Sequence, residues 1–212
     1  MRRTIALSHS ALVHNLGLLA ARRDPAEVAL DVRADAYGHG ADAVADAARE
    51  FGYRAFVTDS GSVAEEGSDA AESDVLYGVA GDARPVMTVA GEVVAVKPVP
   101  AGSAVSYGYT YRVENDGALA LVGLGYADGV PRTASNRADA SIGGARCRIA
   151  GRIAMDQLML DLGEHRALEG DEVVLWGDGS APRLPEWSSA TGFPPLALTT
   201  GLGARFRREW LP

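Results

Sequence analysis

A chain of 212 residues is long enough for one large domain or two small ones, and either would bury a core. With 47% hydrophobic and 23% charged residues it has the composition of a soluble globular protein, and no apolar run approaches the roughly 20 residues of a membrane span. The formal charge of −8 argues against nucleic acid or an anionic membrane surface as the main partner, because both require basic patches, and the pair Arg207-Arg208 is too short to change that.

The N-terminal "MRRTIALSHSALVHN" opens on two arginines, but Ser8, His9 and Ser10 break the apolar stretch and no small-residue cleavage site follows. It is not read as a signal peptide, and a cytoplasmic location is expected. "TIAL" reads as a strand. Ser8 or Ser10 then caps a helix with Leu12, Leu16 and Leu19 on one face at helical spacing. "VALDV" is a short strand, and after the turn at Gly38-His39-Gly40 the residues Val44, Ala48 and Phe51 repeat the helical period. "RAFVT" returns as a strand, "SVAEEGSDAAE" as a weak acidic helix and "DVLYGV" as a further strand. Alternation of this kind builds parallel sheets.

The rhythm changes at "AGDARP", residues 80–85. Beyond it come short strands, "EVVAVKPV", "SAVSYG", "TYRVEN", "GALALVGLG", "SIGGARCRIAGRI", "LMLDL" and "DEVVLWG". Asp116-Gly117, Asp128-Gly129 and Gly143-Gly144 mark reversals between them. The expectation is an α+β protein, with a βα segment over residues 1–84 and an antiparallel β domain over 85–212. The lone Cys147 excludes an internal disulfide or a cysteine metal site and reads as a buried thiol in a reducing compartment. His9, His14 and His165 show no metal-ligand spacing, so no metal is expected.

Two features bear on chemistry. Of 20 basic residues only Lys97 is a lysine, so an amine nucleophile has one candidate. In "ALDVRADAYGHGAD", residues 29–42, an apolar strand ends on Arg33 and turns through Tyr37-Gly38-His39-Gly40.

That stretch is similar to the Val-Lys-Ala-Asn-Ala-Tyr-Gly-His-Gly signature of the alanine racemase family, the fold-type III pyridoxal-phosphate enzymes. "IALSHSALVHNL", "VKPVPAGSAVSYGYTYR", "GLGYADGVPR", "GRIAMDQLMLDL" and "GDEVVLWG" resemble further family motifs, in the family's order. The resemblance implies the family's β-rich C-terminal domain after a TIM-type barrel. Such a barrel needs about 250 residues, whereas only residues 1–84 precede the β domain here. Only the opening of the barrel is matched. The later barrel strands, which in the family supply much of the phosphate site and two arginines, have no counterpart, and Gly203 stands near the place of a C-terminal phosphate-contacting tyrosine.

The resemblance makes Arg33 the counterpart of the lysine that forms the family's internal aldimine. A guanidinium, with a pKa above about 12, cannot form one. No cofactor is therefore expected, and Lys97 lies in an exposed-looking strand of the β domain. By the same resemblance Tyr126 matches the family's second base, contributed across a dimer interface. Tyr37 matches a tyrosine near the cofactor phosphate, and Met155 a backbone contact to the substrate carboxylate.

Each also has a structural reading. Tyr126 could be a packed tyrosine, and for Met155 core packing is the commoner fate. Tyr37 and His39 could serve to stabilise their turn. Arg33 could pair with Asp31, Asp35 or another carboxylate, or could hold a carboxylate or phosphate in a bidentate contact. Its place at the end of a barrel-type strand favours the latter.

Two functions compete. One is a racemase relative without covalent cofactor chemistry, a homodimer that binds a small carboxylate or phosphate or acts by assembly, its open barrel edges covered by a partner. The other is a cofactor-independent enzyme in which Tyr126 moves a proton and Arg33 holds an anion, with Tyr37 or His39 assisting. A residual amino-acid racemase is a third, weaker reading.

Overall fold

The structure, a computed structural model, describes residues 1–62 and 70–212. Two compact units make up the chain. One comprises Met1–Ala6 with Thr88–Glu209, the other Leu7–Met87 with Trp210–Pro212.

Strand β1, Arg3–Ser8, leads into helix α1, His9–Ala20. Ser8 caps α1, its Oγ accepting the Ala11 N–H at 3.1 Å. Leu12, Leu16 and Leu19 form the buried stripe that the spacing predicts. Strand β2, Ala29–Asp31, precedes a short element α2, Arg33–Gly38, and then α3, Ala41–Glu50, with Val44 and Ala48 fully buried. Strand β3, Ala55–Thr58, runs parallel to β2, with Leu30 opposite Phe56, and β4, Gly61–Ser62, turns back antiparallel.

The acidic helix expected over residues 62–72 falls largely outside the described residues. The chain is next described in helix α4, Ala70–Leu76. This corrects the strand expected at "DVLYGV", which is the end of that helix and the turn after it. A short apolar run carries no period long enough to separate strand from helix. What decides is a tertiary clamp: the fully buried Asn15 donates to the Leu76 and Arg84 carbonyls at 3.1 and 2.8 Å and accepts the Arg84 N–H at 2.8 Å.

The other unit is built on long strand β5, Met87–Val99. After it come β6, Ala104–Val105; β7, Tyr111–Arg112; β8, Gly117–Val122; β9, Asp139–Ile142; β10, Ala145–Ile149; β11, Leu158–Gly163; and β12, Glu172–Trp176. Helices α5, Leu184–Thr191, and α6, Pro195–Thr200, precede the last strand, β13, Arg207–Leu211. The strand order is β12-β9-β10-β11-β8-β5-β1-β13, and β12 also pairs with β5. Six strands thus close on themselves, which removes their free edges. The β5–β8, β8–β11, β11–β10, β10–β9, β9–β12 and β12–β5 pairs are all antiparallel.

Alternation carries the core. Leu158, Leu160 and Leu162 of β11 are buried while Met159 and Asp161 between them are not. Gly143 and Gly144, at φ 54° and 85°, form the two-residue reversal that sets Ile142 opposite Ala145. "SAVSYG" and "TYRVEN" are less extended than expected, contributing only two-residue strands.

Helices α5 and α6 are absent from the sequence expectation. Pro185 and a tryptophan-serine run give α5 weak propensity. It is held by Trp187, which packs on Trp176 at 5.1 Å between ring centroids and donates from Nε1 to the Asp139 carbonyl, and by an Arg146–Glu186 ion pair.

Cys147 is buried on β10, as expected, and burial first, then the carboxylates of Asp161 and Asp139, push its thiol up to about 11. In the native protein iodoacetamide at pH 8 is expected to alkylate Cys147 about 100-fold more slowly than in the urea-unfolded chain, as read by mass spectrometry. Equal rates would show that the strand does not shield it. Among the described residues no helix is long and apolar enough to cross a membrane.

Candidate functional site

The strand β2 delivers Asp31 and Arg33 to one point. Val32 N–H still bonds to Val57 O at 3.0 Å, and the ladder ends there. Residues 34–37 (Ala34, Asp35, Ala36, Tyr37) then take φ of 51–55° and ψ of 36–48°. That is a turn of left-handed helix without a glycine, which for L-residues costs roughly 1–2 kcal/mol each.

Such a backbone persists only where its surroundings over-determine it. Here the Asp59 carboxylate accepts the Ala34 N–H at 3.0 Å, and Asp35 accepts the Ala41 N–H at 2.8 Å. Ala36 N–H reaches back to Val32 O at 2.9 Å, and its fully buried methyl fills the core.

The turn brings Tyr37 back over Asp31. The Arg33 guanidinium grips the Asp31 carboxylate in two places, Nε to Oδ1 at 2.9 Å and Nη2 to Oδ2 at 2.5 Å. The Arg33 N–H adds a bond to Oδ1 at 3.0 Å, and the Tyr37 hydroxyl donates to Oδ2 at 2.6 Å. Asp31 is 3% exposed. Burial would push its carboxyl up, but the hydrogen bonds from Arg33 and Tyr37 outweigh this and lower it to about 2. The Arg33 guanidinium is raised in turn, chiefly by its bonds to Asp31, while burial and then Asp31 raise the Tyr37 phenol.

The Tyr77 hydroxyl closes the cluster on the Asp31 carbonyl at 2.6 Å. The buried His39 ring lies 4.6 Å from the Tyr77 ring, and its Nδ1 is 2.8 Å from Ala36 O. Arg33 and Tyr37 therefore meet on Asp31, with His39 behind them. Asp35, the other carboxylate considered for Arg33, is spent on the turn.

Tyr126 and Met155 belong to the other unit. Tyr126 N–H donates to Ala154 O at 3.0 Å and Ala127 N–H to Met155 O at 2.9 Å. Gly125 permits this approach, since a Cβ there would lie 2.3 Å from Met155 O. Both side chains are turned outward, Tyr126 41% and Met155 54% exposed. Neither side chain is packed in a core, which corrects the core-packing readings of both residues. The Arg132 guanidinium lies 5.6 Å from the Tyr126 ring centroid. Lys97 is exposed on β5 opposite Leu119, and among the described residues no three His, Cys, Asp or Glu side chains are placed to hold a metal.

Two features escape the sequence reading. Asp128, fully buried, accepts the Gly125 N–H at 2.9 Å and pairs with Arg3 Nε at 2.9 Å and Arg205 Nε at 3.2 Å. Its only sequence signal is the Asp-Gly turn. A cavity of about 620 Å³ is lined by Tyr107, Tyr109, Leu121, Arg152, Leu158 and Met159 among others. Its signal was the aromatic-glycine repeat "SYGYTYR".

Residues 86–210 match the family model of the alanine racemase C-terminal domain. The alanine racemase of Salinispora arenicola is 44% identical over 137 residues, 61% of this chain and 37% of that protein. That of Streptomyces coelicolor is 43% identical over 130 residues, 60% of this chain and 33% of that protein. The chain thus spans about a third of the length of the curated relatives it matches. Among solved structures, alanine racemase from Streptomyces coelicolor superposes with a TM-score of 0.86 at 22% identity, over 99% of this chain and 98% of that one. The Bartonella henselae alanine racemase with covalently bound pyridoxal phosphate superposes with a TM-score of 0.83 at 18% identity, over the full length of both chains. At these identities the likeness is one of fold.

Proposed function

The chain belongs to the alanine racemase C-terminal domain family, and from that premise we propose that it is a racemase-like protein without covalent pyridoxal-phosphate chemistry or racemase activity, acting as a small-carboxylate-binding or assembly protein. The observation that carries this is the Arg33–Asp31 pair. A Schiff base needs a primary amine able to lose its proton, and Arg33, two residues past the end of β2, is a guanidinium gripped at two points by a buried carboxylate. Lys97, the one primary amine on a side chain, is exposed on a strand of the other unit. These residues do not fit an aldimine, and no step is derived through one.

In this reading residues 1–84 are a shortened α/β barrel segment and residues 85–212 the β domain. The lengths support it. Since 130 residues make up 33% of the Streptomyces coelicolor sequence, that protein has about 390 residues, and a chain of 212 spans such a fold end to end only by skipping an internal stretch. A shortened barrel leaves strand edges that a second copy would cover, and a homodimer in the cytoplasm is part of the proposal. The exposed Tyr126, Met155 and Phe193 of the β unit support such an interface. A second reading, a cofactor-independent enzyme with Tyr126 as acid or base, draws on its exposed phenol beside Arg132.

The test is to incubate the protein with pyridoxal phosphate, reduce with borohydride and digest for mass spectrometry, with α-proton exchange of L-alanine followed in deuterated water. Neither a reduced adduct nor exchange is expected. A stoichiometric adduct on Lys97, or alanine exchange, overturns the reading.

A further inference from the structure

We propose that the open cavity of the β unit is a binding site for an amphipathic carboxylate, one with an aromatic or branched aliphatic body, and that Arg152 is its anchor. The inference deepens the carboxylate-binding half of the function proposed above and rests on it, but it moves the anion holder away from Arg33. Asp31 already takes two of the Arg33 guanidinium contacts and cancels its charge. Arg152 is different: it forms no ion pair among the described residues, and it supplies the only formal charge among those that line the cavity. A guanidinium with its fork of donors free is the side chain best suited to a planar carboxylate.

The cavity is built around that group. Ser106, Gly108 and Tyr109 all have positive φ, 61°, 77° and 51°. The Ser106 hydroxyl donates to Arg152 O at 2.6 Å, tying this turn to the strand-free segment that bears the arginine. A Cβ on Gly108 would lie 3.1 Å from Arg152 Nη1 and 3.3 Å from Cζ, so glycine is what lets the guanidinium lie against the turn. The consequence is a cation braced from behind by a turn that also brings Tyr107 and Tyr109 to the cavity wall, and whose positive-φ backbone is of the kind that clusters at ligand sites.

The rest of the lining sets the ligand class. Leu121, Ala154, Leu158 and Met159 give an apolar floor, and Gln157 adds a neutral polar group. One cation over an apolar floor suits a monocarboxylate with a hydrophobic body better than a phosphate, which would call for several donors. The volume of about 620 Å³ lies within the roughly 300–1,000 Å³ of small-molecule sites.

The test uses the full chain, 2-naphthoate, and 2-naphthamide as its uncharged isostere, followed by two-dimensional amide NMR. Naphthoate is expected to shift the amides of residues 106–109 and 152–159 and to bind about 10-fold more tightly than naphthamide, with Arg152→Gln erasing that difference. Gly108→Ala, which displaces the guanidinium without removing it, is expected to weaken naphthoate selectively. Equal binding of the two probes, or full preference retained in Arg152→Gln, overturns the assignment. Shifts confined to the residues around Arg33 overturn the location while sparing the carboxylate-binding reading. No binding of either probe, as when a second copy fills the cavity, removes both.

Discussion

Asp128→Ala is expected to destabilise the protein by about 3–5 kcal/mol, the cost of removing one partner from a buried ion pair. Asp128 has no exposed side-chain surface and the Arg3 side chain is 10% exposed, so the cation left behind has little access to water. The same change strands the Gly125 N–H, whose partner is Asp128 Oδ2. It also frees Arg205 from one of its two carboxylates, the other being Asp156.

Arg3→Met is expected to cost clearly less, because Asp128 would keep Arg205 and the Gly125 N–H. Urea denaturation of the two variants measures the difference. Midpoints that coincide would mean that Asp128 is held by its packing and not by its charge. The pair matters to this unit because Asp128 ends the segment that carries Tyr126, with Gly129 N–H bonded to Tyr126 O at 3.1 Å.

Stability is expected to fall by about 2 kcal/mol between pH 4 and pH 2 through Asp31 alone. The carboxyl is lowered from 3.8 to about 2 in the folded protein, and each unit of difference is worth about 1.4 kcal/mol. The sign follows from the direction. A lowered carboxyl stabilises the fold wherever it is ionised in both states, above its unfolded value, and that stabilisation is lost as pH falls through the folded value. Asp31 is buried, but Arg33 is about half exposed, so solvent screens the ion pair and part of the effect belongs to the Tyr37 hydroxyl and the Arg33 N–H.

Asp31→Asn is expected to be less stable than the parent at pH 7 by that amount and to converge with it near pH 2. Thermal unfolding across this range tests it, and parallel curves for the two proteins would refute the assignment. The variant would also leave a single amide oxygen for the Arg33 and Tyr37 donors that the two carboxylate oxygens now share.

Much of this protein is readable from local pattern alone. Period-two burial places β10 and β11, paired glycines place the 143–144 reversal, and Ser8 with Leu12, Leu16 and Leu19 places α1. These signals are short-range, carried by residues within one turn or one strand. The arginine at position 33 is legible in the same way, because loss of a primary amine is a matter of covalent chemistry that no fold can restore. Its partner was legible only as one of several carboxylates, and the structure assigns Asp31.

What the sequence could not specify depends on groups far apart in the chain. The left-handed turn at residues 34–37 has no glycine to announce it and is held by Asp59, 25 residues beyond Ala34. The end of α4 is helical because Asn15, 61 residues away from Leu76, takes its carbonyl. Arg3 and Asp128 find each other only when β1 joins the sheet, and the close backbone approach of Gly125 to Met155 O is set by residues 30 apart in the chain. Composition and periodicity determined the elements, and the identity of residue 33 determined which chemistry is closed. Tertiary structure alone decided which charges are neutralised and which, like Arg152, are left facing an apolar cavity, because desolvation and ion pairing depend on distances that sequence separation does not encode.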